Sequence, residues 1–258
     1  MAHETFGNPP YTAVCLNGGP GAAGEMVPVA EKLSQNTGII VYEQTASSVA
    51  GQAGELHDIM QYVKTPVTLV GHSWGAWLGC IFGAAYPECV RKIVLVGCPP
   101  FTTAAAQDIM EKRVSRMSEK DMRRIAGLND ALHEDGTDKD EIFAELGGIY
   151  MQADTYVEKS GPAARAACCY RIYASVFAEA EALRRSGELI ETCGRIRCPV
   201  VAIHGDYDPH PVDGVTILFG IVPEFKMTVL ERCGHDPWRE RYACREFYRI
   251  LKDEIKVR

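Results

Sequence analysis

Short runs of apolar residues alternate with longer amphipathic stretches through the first hundred residues of the chain. The runs predict buried strands at 12–16, 39–42, 67–70 and 93–96. The stretches between them carry apolar side chains three and four residues apart, which predicts helices. Strands that alternate with helices form a mostly parallel sheet with helices on both faces, and we therefore expect an α/β fold.

The alternation stops at Phe101 and resumes after Ile196. The residues between them predict helical stretches rich in charge and alanine, with no strand-like run, at 104–117, 119–128, 140–151 and 161–185. An insertion of this length after the fourth strand predicts a cap over the carboxyl edge of the sheet. We expect residues 1–100 and 197–258 to form the core domain and residues 101–196 to form the cap. The alternative is that these helices only thicken one face of the core.

Two further apolar runs, at 199–203 and 225–230, bring the expected sheet to about six strands. A closing helix should follow, with Asp236 as its N-cap and Pro237 as its first residue. Residues 1–11 contain two consecutive prolines and predict an irregular lead-in.

The third strand ends in Gly71-His72-Ser73-Trp74-Gly75, which has the G-x-S-x-G pattern of a nucleophile elbow. A strand that turns at once into a helix strains the middle residue, so the residues two before and two after must be very small. The glycines meet this requirement. The pattern therefore predicts a Ser73 hydroxyl exposed at the end of the sheet, at the N-terminus of a helix.

Other strand ends supply partners for this serine. Ligands of a parallel sheet bind beyond the carboxyl ends of its strands, where Asp208 and His235 also fall. The chain order Ser, Asp, His accompanies a G-x-S-x-G elbow. We expect His235 to act as the base and Asp208 to orient it, while Asp206 is the alternative acid.

An ester or amide hydrolase also needs hydrogen-bond donors for the oxyanion. The main-chain N–H of Trp74 is one candidate because it follows the nucleophile directly. The second donor should come from the glycine loop Asn17-Gly18-Gly19-Pro20-Gly21, with Gly19 as first choice and Gly18 as second. A plain turn is the alternative interpretation of this loop.

The alternating run His204, Asp206, Asp208 and His210 also suggests a metal site. Gly205 and Pro209 favour a turn there, so we do not expect one ion to collect all four side chains. The ten cysteines show no C-x-x-C spacing, and structural thiols are the expected role. We expect neither a metal nor a cofactor.

Charge and hydropathy restrict the class of protein. The net charge is -7 and no basic stripe occurs, so nucleic acid is not an expected partner. No apolar run approaches the ~18 residues of a membrane span, and the N-terminus lacks the features of a signal peptide. We expect a cytoplasmic protein, and the sequence leaves its oligomeric state open.

The elbow, the glycine loop, Gly205-x-x-Asp208 and Gly234-His235 together resemble the α/β-hydrolase family from Thr12 to about Lys252. The resemblance implies the triad and oxyanion roles given above. It also implies two antiparallel strands before the first parallel strand, which we expect this chain to lack.

A narrower resemblance is to the prolyl iminopeptidase subgroup. In that subgroup the loop reads His-Gly-Gly-Pro-Gly, and the next strand ends in Asp-Gln-Arg-Gly. Here Asn17 replaces the histidine, and the strand ends in Glu43-Gln44-Thr45-Ala46. We therefore expect a serine hydrolase that acts on a small ester or amide, and a prolyl iminopeptidase-like aminopeptidase is the alternative. A non-hydrolytic ligand receptor and a cofactor-free lyase are further alternatives.

Overall fold

A computed structural model describes residues 2–35, 37–159 and 167–256. Its main sheet contains seven strands, at Ala2–Phe6 (β1), Tyr11–Leu16 (β2), Gly38–Glu43 (β4), Val67–His72 (β5), Val90–Val96 (β6), Val200–Gly205 (β8) and Phe225–Leu230 (β9). Two short strands, Ala22–Ala23 (β3) and Ala167–Cys168 (β7), pair separately. The order in the sheet is β1-β4-β2-β5-β6-β8-β9. β1 is antiparallel to β4, and the other neighbours are parallel.

Helices connect the parallel strands and fill the segment between β6 and β8. They span Val27–Leu33 (α1), Val49–Ile59 (α2), Trp74–Ala85 (α3), Thr103–Ala106 (α4), Ile109–Ser115 (α5), Glu119–Leu132 (α6), Lys139–Asp154 (α7), Tyr170–Ser186 (α8), Glu188–Cys193 (α9), Asp213–Thr216 (α10) and Cys244–Ile255 (α11). Among the described residues, no helix is long and apolar enough to cross a membrane.

The sheet is buried on both faces, which explains its near-continuous apolar strands. Along β2, Val14 and Leu16 pack into one core with Trp77 of α3. Ala13 and Cys15 face the opposite core, which includes Phe247 of α11. The predicted α/β fold is therefore present.

The first strand differs from the sequence-based expectation. Residues 1–11 were expected to be irregular, but Ala2–Phe6 pairs along the outer edge of β4. An edge strand is held by main-chain hydrogen bonds and tolerates polar side chains such as His3 and Glu4, so it carries no apolar signature. This antiparallel strand adds to the six expected, and one strand therefore precedes the first parallel strand.

The closing helix also begins later than the sequence predicts. Asp236 does not cap it, because residues 237–243 form turns and α11 starts at Cys244. In the region expected to be free of strands, Ala167–Cys168 forms β7. The predicted helix from 161 to 185 is described from Tyr170 onward, and residues 161–166 lie outside the described part.

The helical segment, residues 101–196, contacts the core through its last two helices. α8 packs on α2, and α9 packs on α3, the helix that follows Ser73. Val176 and Leu189 are buried in the same core as Trp77. The helices of this segment therefore share a hydrophobic core with the sheet.

Candidate active site

Ser73 occupies a strained turn between β5 and α3, with φ of 51° and ψ of -118°. A positive φ is unusual for a residue with a side chain. The turn needs glycine on both sides. A Cβ atom on Gly71 would lie 2.1 Å from the Gly75 carbonyl oxygen, and one on Gly75 would lie 2.3 Å from that of Leu16. The local geometry is therefore that of a nucleophile elbow.

The end of β6 lies between Ser73 and His235. The Ser73 N–H donates to the Val96 carbonyl at 2.9 Å. The next residue, Gly97, packs so closely on His235 that an added Cβ would lie 2.9 Å from the ring Nδ1. The strand ends thus bring the serine and the histidine to the same edge of the sheet.

His235 is paired with Asp208. The ring Nδ1 lies 2.8 Å from Asp208 Oδ2, and the carboxylate is fully buried. Burial lowers the pKa of His235, but the carboxylates of Asp208, Asp236 and Asp154 outweigh it and raise the value to about 9. Burial alone would raise the pKa of Asp208, but the neighbouring histidines hold it well below its usual range. The pair therefore stabilises a protonated imidazole.

A second histidine orients the same carboxylate. The main-chain N–H of His210 donates to Asp208 Oδ1 at 2.9 Å, and its ring Nδ1 lies 2.8 Å from that oxygen. Burial lowers the pKa of His210 to about 4, so the ring is neutral near pH 7. His204 Nε2 lies 2.9 Å from the His210 carbonyl oxygen, to which it can donate. No motif or spacing in the sequence indicates this role for His210, which the alternating run suggests only as a metal ligand.

The alternating run from His204 to His210 does not converge on one point. Asp206 Oδ1 accepts the Cys233 N–H at 3.0 Å, away from His235. Asp208, His210 and His235 do place ligand-type atoms within 4.8 Å of one another. These atoms are already hydrogen-bonded to each other, so an ion there would have to replace those bonds.

The glycine loop faces the elbow and is held by side chains. The Gly18 N–H donates to Glu25 Oε2 at 2.6 Å, and the Gly21 N–H donates to Gln44 Oε1 at 2.9 Å. Gly19 has φ of 104°, which only glycine adopts readily. The N–H of Trp74 is the first of α3, and the first N–H groups of a helix have no partner within it.

The residues that depart from the iminopeptidase pattern hold this loop. Asn17 Nδ2 donates to the Tyr42 carbonyl at 3.0 Å, and Asn17 Oδ1 accepts the Met26 N–H at 2.8 Å. Glu43 accepts the Gly24 N–H, at 3.2 Å from either oxygen. Asn17 therefore links β2, β4 and the start of α1.

His72, the second residue of the elbow pentapeptide, is 1% exposed. Its Nδ1 lies 2.9 Å from Glu25 Oε2. Its Nε2 lies 3.2 Å from both Asp236 Oδ1 and the His235 carbonyl oxygen. Glu25, His72 and Asp236 carry no local sequence signal of a site residue, because their contacts join positions that are distant in the chain.

The loop of His235 is also bound to the helical segment. The His235 N–H donates to the Asp154 carbonyl at 3.0 Å. The buried carboxylate of Glu240 accepts the N–H groups of Gly234 at 2.7 Å, Tyr156 at 2.7 Å and Val157 at 3.0 Å. Residues 154–159 therefore lie directly against the loop that carries His235.

A strained serine at the end of a parallel sheet, with an Asp–His pair on neighbouring strand ends, defines an α/β hydrolase. The sequence matches the profile described as "Alpha/beta hydrolase family" over residues 13–247, and the chain belongs to that family. No curated protein sequence matches the chain at a significant level.

Solved structures with similar folds come from several kinds of hydrolase. VinJ superimposes with a TM-score of 0.71 at 19% identity, covering 98% of this chain and 93% of that one. A Paleococcus ferrophilus monoacylglycerol lipase superimposes with a TM-score of 0.63 at 16% identity, covering 98% of this chain and 97% of the lipase. A proline iminopeptidase from Mycobacterium smegmatis superimposes with a TM-score of 0.62 at 16% identity, covering 98% of this chain and 93% of the iminopeptidase. At these identities the likeness extends to the fold alone.

Proposed function

We propose that the protein is a serine hydrolase that cleaves a small ester or amide through an acyl-enzyme, with Ser73, His235 and Asp208 as its triad. The observation that carries this proposal is the 2.8 Å contact between His235 Nδ1 and Asp208 Oδ2, at the sheet edge that presents Ser73 in a strained elbow. When Asp208 is hydrogen-bonded to Nδ1 of His235, Nε2 is left to accept the proton of the Ser73 hydroxyl.

In the first half-reaction, Ser73 Oγ bonds to the substrate carbonyl carbon while its proton passes to His235 Nε2. The resulting imidazolium is stabilised by Asp208, and it returns the proton to the leaving alcohol or amine as the bond to the carbonyl carbon breaks. Water then attacks the acyl carbon and gives a proton to His235, which passes that proton to Ser73 Oγ as the acyl C–O bond breaks and the acid is released. Each protonation step uses the same imidazole.

The oxyanion receives hydrogen bonds from the N–H groups of Trp74 and Gly19 in this proposal. Gly18 was the second candidate, but its N–H already donates to Glu25 at 2.6 Å. Removing one such donor typically costs ~10²–10³ in rate. The neutral substrate would lie between the core and the helical segment, which acts as the cap, and no cofactor takes part.

A covalent probe tests the proposal. A fluorophosphonate should label the wild-type protein, and peptide mapping should place the label on Ser73. Ser73→Ala should abolish labelling, while Ser175→Ala, on the exposed face of α8, should leave it unchanged. A folded wild-type protein that does not react would exclude the proposed mechanism.

An aminopeptidase activity is the second candidate because Gln44, which the narrower family pattern shares, holds the Gly21 N–H of the glycine loop. This activity requires a free substrate amine. Equal turnover of free and amine-blocked prolyl amides would reject it and retain the general hydrolase.

A further inference from the structure

The side chain of His72 lies where three parts of the site meet. It directly precedes Ser73, its Nδ1 contacts Glu25, which accepts an N–H of the glycine loop, and its Nε2 contacts the carbonyl of His235. The ring is 1% exposed, so water cannot replace these contacts readily. One buried ring therefore connects the nucleophile, the oxyanion loop and the loop of the base.

Glu25 completes the connection on the oxyanion side. Its Oε2 accepts both the Gly18 N–H at 2.6 Å and a hydrogen bond from His72 at 2.9 Å. The carbonyl of the same Asn17–Gly18 peptide accepts Gln44 Nε2 at 2.7 Å. The Asn17–Gly18 peptide is thus held from both sides, and the carbonyl of the next peptide, which carries the Gly19 N–H, accepts the Ala22 N–H at 3.4 Å.

We propose that Glu25 and His72 are positioning residues that hold the Gly19 N–H and the His235 loop in register around Ser73. The inference rests on the proposed function. In this proposal neither residue touches the substrate or takes part in making or breaking its bonds.

The charge of Glu25 explains why both residues are needed. The point where Gly18 would carry a Cβ lies 2.7 Å from Glu25 Oε2 and 3.1 Å from Ser73 Cβ. An unbalanced carboxylate so near the nucleophile would oppose a developing oxyanion. Burial would raise the pKa of Glu25, but the interactions with His72, the Gly18 N–H and His235 together lower it, so the side chain is stabilised as a carboxylate.

The first test measures p-nitrophenyl butyrate hydrolysis and the rate of fluorophosphonate labelling. Glu25→Ala should lower kcat by about 30-fold or more, within the ~10²–10³ range for a lost oxyanion donor, while KM changes by less than about threefold. Glu25→Gln keeps an acceptor for the Gly18 N–H, so its kcat should be about tenfold higher than that of Glu25→Ala. The control is Glu179→Ala, because Glu179 also accepts a main-chain N–H, from Val49, but lies away from the site.

A double-mutant cycle separates positioning from general destabilisation. His72→Gln should lower the labelling rate, and the double variant with Glu25→Gln should lose less than the product of the two single losses, because both side chains act through the same 2.9 Å contact. Independent effects in the cycle would overturn the pairing, even if Glu25→Ala failed to fold.

The outcomes distinguish this inference from the proposed function. A wild-type protein that is not labelled at Ser73 contradicts the serine mechanism. If the wild-type protein is labelled at Ser73, and folded Glu25→Ala hydrolyses the ester as fast as Glu179→Ala, only the positioning role is contradicted.

Discussion

Replacing Asp208 by Asn should produce a defect that grows with pH. The carboxylate is the main attractive partner that raises the pKa of His235 to about 9 from 6.5, a difference that corresponds to roughly 3 kcal/mol in favour of the imidazolium. At pH 7 only about one wild-type molecule in a hundred then carries the neutral imidazole that can accept the Ser73 proton. Asp208→Asn removes the strongest attractive partner of the imidazolium, so the pKa of His235 falls and the neutral ring becomes abundant at pH 7.

In the proposed mechanism, the same change also removes the group that fixes the imidazole tautomer and stabilises the transition state. Replacing a triad acid by Asn costs on the order of 10⁴ in kcat. At pH 7 this loss is partly offset by the roughly hundredfold gain in neutral imidazole, so we expect a net loss of about 10²-fold. At pH 10 the wild-type imidazole is also neutral, and the loss should approach about 10⁴-fold.

The assay is kcat/KM for p-nitrophenyl butyrate between pH 6 and 10.5, corrected for spontaneous hydrolysis. The wild-type profile should rise to a plateau with a midpoint near 9, and the Asp208→Asn profile should reach a much lower plateau at a lower pH. Asp206→Asn is the matched control, because Asp206 accepts the Cys233 N–H instead of facing His235. A defect of equal size at pH 7 and pH 10 would refute the pKa argument, and a larger defect in Asp206→Asn would reassign the acid.

Three further predictions concern stability. Since His235 has a pKa of about 9 in the folded chain and 6.5 when unfolded, the stabilisation is complete below 6.5 and is lost as pH rises through 9. The free energy of urea unfolding should therefore fall by up to roughly 3 kcal/mol between pH 6.5 and 9.5, and a flat dependence would contradict this. Gly75→Ala should cost more than about 3 kcal/mol in thermal unfolding or prevent folding, because its Cβ would meet a carbonyl oxygen at 2.3 Å. Gly147→Ala in α7, where an added Cβ meets no atom within 4 Å, should instead stabilise by about 0.5–1 kcal/mol. Glu240→Ala leaves three main-chain N–H groups without their acceptor and should cost at least about 2 kcal/mol in the same measurement, and a loss below about 0.5 kcal/mol would show that water replaces the carboxylate.

The sequence was sufficient to predict the elements whose signals are local. The elbow depends on glycines two residues from Ser73, and the buried parallel strands carry continuous apolar runs, so both are visible in a single stretch of chain. The expectation that Asp208 and His235 lie near Ser73 follows from the rule that the carboxyl ends of parallel strands meet at one edge.

The remaining site residues depend on contacts between distant positions. His72 meets Asp236 across 164 positions of sequence, and no periodicity or motif marks either as a partner of the other. Asp236 was predicted to cap a helix, since Asp before Pro is a common helix start. Its carboxylate lies beside His72 instead. Turns occupy most of residues 237–243, so α11 begins only at Cys244. The edge strand β1 was missed for a related reason, because main-chain pairing leaves no side-chain pattern.

The hydrogen bond from the His235 N–H to the Asp154 carbonyl limits how the substrate range of this protein can be re-engineered. A chimaera that exchanges residues 101–196 for the equivalent stretch of another hydrolase would also exchange the main-chain groups that anchor the base. Gly234 adds a steric requirement, because any side chain there would collide with the Asp154 carbonyl. Residues 154–159 should therefore stay with the recipient, so that the transplantable unit is smaller than the helical segment that the sequence delimits.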